Sequence, residues 1–349
     1  MRILIDVGHP AHIHYFKNCV KILGKKGHEF LFVVRERDST IELIRNLGFN
    51  YVSRGKGAKG LINKMFAIPK IDYKLWKIAR RFKPDMFLSM CSSYAAHVAW
   101  IMRKPHICFD DTEHAKFEHL LCYPFSRIIL SPSCYYAPLH KRQRLFKSYL
   151  ELLYLHPHYF TPDKRIKQAL GVEEGEKYCV LRLISWDANH DVNQHGLSYG
   201  FKLKMVKELE KHCHVFISSE EPLSDELKKY KLKISPHQLH DVLAMADLYI
   251  GEGSTTASES AVLGTPAIYI NTLRVGNIED EEKYGLAFHM SKPEEILAKA
   301  ISILSVPDSK IEFAKKRELM LKDKIDPTAM MVDLIENYPQ STMRMLNQV

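Results

Sequence analysis

Residues 240–270 read HDVLAMADLYIGEGSTTASESAVLGTPAIYI. A helical HDVLAMA leads into the apolar strand LYIGEG, a turn of small residues, a helix through TASESAVLG and a second strand, PAIYI. Neither strand alternates apolar with polar residues, as expected of a parallel sheet covered on both faces. At the turn, Gly251, Gly253, Ser254, Thr255 and Thr256 carry nothing bulky. Their N–H groups can approach a phosphate, and the positive end of the following helix favours that anion. Glu259 stands one turn further on, where a carboxylate can reach ribose hydroxyls. An ordinary capped helix after a strand has the same spacing, so the pattern alone leaves both readings open.

The same rhythm extends outward in both directions. KYCVLRLIS and CHVFISSE read as strands before it, with helices at GLSYGFKLKMVKELEK and PHQLHDVLAMA, and the stretch from Glu294 onward is helical by pattern. An earlier series runs from RILIDVG through the helix HIHYFKNCVKILGKKG to the strands HEFLFVVRE, PDMFLSM, PHICFDD and FSRIILSP. Between Tyr149 and Lys167 the segment with HPHYFTPD breaks the rhythm and reads as a linker. The expectation is two α/β domains, 1–160 and 161–349, with C-terminal helices able to cross back to the first. There is no exact internal repeat.

The chain has 349 residues, 46% hydrophobic and 26% charged, enough for two cores and without the bias of a disordered protein. No apolar run reaches the roughly 18–20 residues that span a bilayer, and MRILIDVGH lacks the zones of a signal peptide, so a cytoplasmic protein is expected. The seven cysteines contain no C-x-x-C pair, which suggests neither a disulfide framework nor a zinc site. The net charge is +9, and ten Lys/Arg against one acid, Asp72, fall between Arg54 and Lys83. That field suits an anionic partner: nucleic acid, an anionic membrane surface or a phosphorylated ligand. No nucleic-acid-binding module accompanies it, so nucleic acid is the weakest of these. Leu75, Trp76 and other apolar residues among the charges suit peripheral contact with a membrane, though a solvated helix face would look the same.

Three further loops collect chemistry at strand ends, where a doubly wound sheet binds ligands. DVGHPAHIHYFK holds His9, His12 and His14; an imidazole at His12 can take a proton from an acceptor hydroxyl, or it can simply cap the helix. The spacing of the three fits no regular metal site. CFDDTEHAKFEH crowds Asp110, Asp111, Glu113 and Glu118 beside two histidines, and like charges so close shift one another's titration. LRLISWDANHDV brings Arg182, Trp186, Asp187 and His190 after the first strand of the second half. A cation there can stabilise a leaving diphosphate without a metal.

Gly253, Glu259, Leu263-Gly264 and Pro266 resemble the donor-nucleotide motif of bacterial lipid-linked N-acetylglucosaminyltransferases and of UDP-N-acetylglucosamine 2-epimerases. More closely, HPAHIHYFK, LISWDANHD and GSTTASESAVLGTPAIY together resemble the domain of unknown function 354, a GT-B-like family, over nearly the whole chain. The resemblance implies a GT-B type α/β fold, with two Rossmann-like domains whose parallel sheets face a central cleft. It implies that Gly253, Ser254, Thr255 and Thr256 hold phosphates and Glu259 holds ribose, with His9, Glu118, Arg182, Trp186, Asp187 and His190 as further substrate contacts. His12, Asp111 and Glu113 are the catalytic candidates. The expected activity is metal-independent and cofactor-free glycosyl transfer from a UDP-sugar-like donor to an acceptor sugar or lipid-linked sugar, in surface polysaccharide or glycolipid assembly. The alternatives are a UDP-sugar 2-epimerase or hydrolase, and a non-catalytic nucleotide-sugar-binding protein. Against the epimerase, Met90-Cys91-Ser92-Ser93 is neutral where those enzymes place an acid.

Overall fold

The computed structural model describes residues 1–57, 61–183, 197–219 and 222–347. The chain forms two compact units, one of Met1–Tyr154 with Ile325–Val349, the other of Leu155–Lys324.

In the first unit β1 (Arg2–Val7), β2 (Glu29–Arg35), β3 (Tyr51–Gly55), β4 (Met86–Met90), β5 (His106–Phe109), β6 (Ile128–Pro132) and β7 (Gln143–Phe146) form one sheet in the order β3-β2-β1-β4-β5-β6-β7. Every pairing is parallel. Ile3, Leu4, Ile5 and Val7 are fully buried because helices cover both faces. The helix Pro10–Lys25 buries Ile13, Phe16, Val20 and Leu23 at helical spacing. Ile71, Leu75 and Ala79 do the same for the helix Leu61–Phe82. The C-terminal segment closes this unit: Asp326 caps the helix Pro327–Glu336 through the Thr328 and Ala329 N–H groups, and the Thr328 hydroxyl and Asn18 amide both donate to the Leu153 carbonyl.

In the second unit β8 (Tyr178–Leu183), β9 (His214–Ser219), β10 (Leu248–Gly251), β11 (Ala267–Ile270) and β12 (Ala287–Met290) form a parallel sheet in the order β12-β11-β10-β8-β9. The helix Ser254–Leu263 buries everything from Ala257 to Leu263 and ends at Gly264, whose φ of +85° closes it in a left-handed cap. Among the described residues no helix is long and apolar enough to cross a membrane.

β3, β7 and β12 do not stand out in the sequence. Each lies at a sheet edge, where half-exposed residues replace the apolar run of a central strand.

Candidate functional site

Strand order reverses once in each sheet, between β1 and β4 and between β8 and β10. Loops diverge at such a point and leave a crevice at the carboxyl ends of the strands. In the first unit His9 and His12 follow β1 at this point and the acidic loop follows β5, one strand beyond β4; in the second, Arg182 and Gly251 lie on the two flanking strands.

In the second unit, Gly251 ends β10 opposite Arg182 of β8. Gly253 is the N-cap of the helix Ser254–Leu263, in an extended conformation, and among the described residues no side chain caps the helix. The first N–H groups of that helix therefore point outward at Ser254, Thr255 and Thr256, as an anion site requires. Arg182 is half-buried, and its guanidinium donates to the Ser218 hydroxyl at 2.6 Å. Glu259 is buried, and Nε2 of His240 lies 3.0 Å from its Oε1, which fixes the direction of the carboxylate. His240 opens the segment that decides the fold, and nothing in its sequence marks it as Glu259's partner.

Gly251 is a packing requirement. A Cβ there would lie 2.2 Å from the Tyr249 hydroxyl and 2.9 Å from the Arg182 Cβ, and Tyr249 is fully buried. Gly251→Ala should therefore cost about 1–3 kcal/mol of stability in chemical denaturation, as overpacking usually does, and displace Arg182. A variant as stable as the parent would show that the turn yields.

In the first unit, His9 is the exposed N-cap of the helix Pro10–Lys25 and accepts the Ala11 N–H at 3.3 Å. His12 is half-buried, and its Nδ1 accepts the Gly8 N–H at 3.4 Å. Burial, then the charges of His9, Arg54 and Arg37, lower its pKa to about 3. His12 is thus held as a neutral imidazole whose Nδ1 accepts from Gly8, which leaves the proton on Nε2.

Asp111 has the opposite character. Burial, then the neighbouring Asp110 and Glu113, raise its carboxyl to about 7. Asp110 is committed elsewhere: its Oδ2 accepts the Tyr123 hydroxyl at 2.5 Å and pairs with Nε2 of His119 at 2.8 Å. Glu113 is buried, whereas Glu118 is exposed on the first turn of the helix Lys116–Cys122. Phe16 packs edge-on against Phe109 at 5.9 Å. His12, a turn before Phe16, and Asp111, just beyond β5, therefore lie at the same sheet edge.

One group at this edge escapes sequence reasoning. Asp6, fully buried at the end of β1, accepts from Nε of Arg54 at 2.9 Å and from the Ser92 hydroxyl at 2.5 Å. The Arg54 guanidinium also lies 4.8 Å from the Tyr94 ring centre. A charged residue inside the apolar run RILIDV was the available signal. Trp186, Asp187 and His190 lie outside the described residues.

Two Rossmann-like units, each built on a parallel sheet with one switch point, define a GT-B type α/β protein, and solved structures share that fold. A UDP-GlcNAc 2-epimerase from Neisseria meningitidis bound to UDP-GlcNAc matches with a TM-score of 0.69 at 10% identity, over 97% of this chain and 100% of that one. A spinosyn rhamnosyltransferase complexed with spinosyn aglycone matches with a TM-score of 0.65 at 13% identity, over 97% and 100%. Residues 1–340 match the family described as "Protein of unknown function (DUF354)", and the chain belongs to it. An uncharacterized protein of Methanocaldococcus jannaschii is 24% identical over 279 residues, 76% of this chain and 80% of its own length.

Proposed function

We propose that this protein is a glycosyltransferase using a UDP-sugar-like donor and needing no metal for transfer. The observation that carries this reading is the uncapped helix start at Gly253, beside Arg182 at the second unit's switch point and followed by the fixed carboxylate of Glu259. In this reading the N–H groups of Ser254, Thr255 and Thr256 and the Arg182 guanidinium hold the diphosphate, and Glu259 accepts the ribose hydroxyls. In the first unit Asp111 takes the acceptor proton, since a carboxyl near 7 is half ionised at neutral pH, and His12 donates a hydrogen bond from Nε2. The acceptor is a sugar or a lipid-linked sugar. The helix Leu61–Phe82 would meet an anionic membrane with exposed Phe66 and Tyr73 among Lys70, Lys74, Lys77 and Arg80.

Asp111 also sustains a second reading, a UDP-sugar 2-epimerase, because the same carboxyl suits proton transfer at a sugar carbon. Incubation with a panel of UDP-sugars separates the two. A transferase releases UDP only when an acceptor is added, and an epimerase interconverts the sugars without one. A chain that binds UDP-sugars but does neither would be a binding protein.

Glu259→Ala should weaken UDP binding by about 1.5–3 kcal/mol, the range of a charge-assisted hydrogen bond. Calorimetry on the folded variant measures this, and an unchanged affinity would take Glu259 out of the site.

A further inference from the structure

Cys91, Cys108 and Cys122 are far apart in sequence, yet their sulfurs all lie within 4.8 Å of one another in the first unit. The Cys108 and Cys122 sulfurs are 3.8 Å apart. Zinc–thiolate bonds of about 2.3 Å set sulfurs roughly 3.8–4.0 Å apart around a shared tetrahedral or trigonal ion, so this spacing needs little adjustment. Three elements supply the thiols: the residue after β4, the interior of β5 and the last turn of the helix Lys116–Cys122. Cys108 and Cys122 are fully buried, while Cys91 is half-buried and offers an entry path from the strand ends.

The backbone at Cys91 is a second, separate observation. Its φ is +40°, a left-handed conformation that costs a non-glycine residue free energy and persists where the surroundings impose it. Its N–H is tied to the Phe109 carbonyl at 3.0 Å, which holds the turn against β5 and its side chain in the cluster.

We infer that Cys91, Cys108 and Cys122 form a binding site for one thiophilic d10 cation, of the class of Zn2+, Cd2+ and Cu(I). Three sulfur donors select such ions over Mg2+ or Ca2+, which take oxygen ligands. Asp110 and His119 form a second such group with Cys91, but they pair with each other and Asp110 also holds Tyr123, so the three thiolates are the ligand set assigned. A bound ion would tie β4, β5 and the helix end together directly behind Ser92, which holds Asp6. The inference does not depend on the sugar-nucleotide reading, and plain apolar packing of three reduced cysteines is its rival.

Cd2+ is the probe, added to the reduced, metal-stripped full chain. The expected result is one ion per chain, a thiolate-to-cadmium absorption band, release of about three protons per ion and a higher melting temperature. Cys108→Ser and Cys91→Ala should each weaken uptake at least tenfold, and Cys213→Ser, in the other unit, should leave it unchanged. Cys91→Ala serves if the buried substitution prevents folding, because its site is half-exposed. No stoichiometric uptake by the parent, or uptake undiminished in both cluster variants, overturns the assignment and leaves the cysteines as packing.

Discussion

Asp111→Asn is expected to stop catalysis while making the protein more stable above neutral pH. On the proposed reading the carboxylate removes the acceptor proton, so turnover, followed as UDP release, should fall about 10²- to 10⁴-fold, with the nucleotide affinity of the second unit unaltered. In the parent the rate should rise with pH through about 7, as the carboxyl ionises. Stability follows the same titration in the opposite sense. An aspartate of ordinary pKa near 3.8 has given up its proton in the unfolded chain well before the folded protein, at about 7, does so. The folded-state advantage is therefore full below about 4 and is lost as pH rises to 7, on the order of 2–4 kcal/mol by linkage. Asn has no such loss. The variant should melt higher than the parent at pH 8 and by a smaller margin at pH 4. A margin independent of pH would show that Asp111 titrates normally, and an unimpaired rate would remove it from the chemistry.

The other large effect concerns Asp6 and Arg54, whose side chains are 0% and 5% exposed. Arg54→Met keeps much of the length and the apolar stem but leaves a buried carboxylate whose remaining hydrogen-bond partner among the described residues is the Ser92 hydroxyl. Removing one partner of a buried pair costs about 3–5 kcal/mol, because the remaining charge stays out of water uncompensated. Chemical denaturation should show that loss in the transition of the first unit. Asp6→Asn added to Arg54→Met should recover most of it, since a neutral amide costs far less to bury. If the single variant stays within about 1 kcal/mol of the parent, water or movement of β3 already relieves the charge, and the pair is not what holds the β1 end.

Two parallel-sheet α/β domains were legible because central parallel strands are buried on both faces and show themselves as unbroken apolar runs, while the GT-B type rested on the family resemblance. RILIDV, MFLSM, YCVLRL and AIYI were readable for that reason, as were the glycines and small residues that punctuate them. β3, β7 and β12 were not, since these edge strands are short and half-exposed and have no such run, whereas β9, the remaining edge, keeps the apolar VFI. The candidate nucleotide turn was equally local: Gly251 and Gly253 are chemically meaningful wherever a strand meets a helix.

What depended on contacts between distant segments was decided by the tertiary structure alone. Nothing local to His12 shows that burial, then the charges of His9, Arg54 and Arg37, hold it neutral, or that its Nδ1 accepts the Gly8 N–H. Asp110 and Asp111 are adjacent and chemically identical. Tyr123 and His119 engage the first, while burial beside like charges moves the second toward 7. The Asp6–Arg54 pair joins residues 48 apart, and the three clustered cysteines come from the turn after β4, from β5 and from a helix end, so no spacing rule could bring either group together. Local pattern determines which elements form, because burial periodicity is a property of short stretches. Protonation, pairing and ligand sets are determined by what lies across the sheet, because charge and desolvation act through space rather than along the chain.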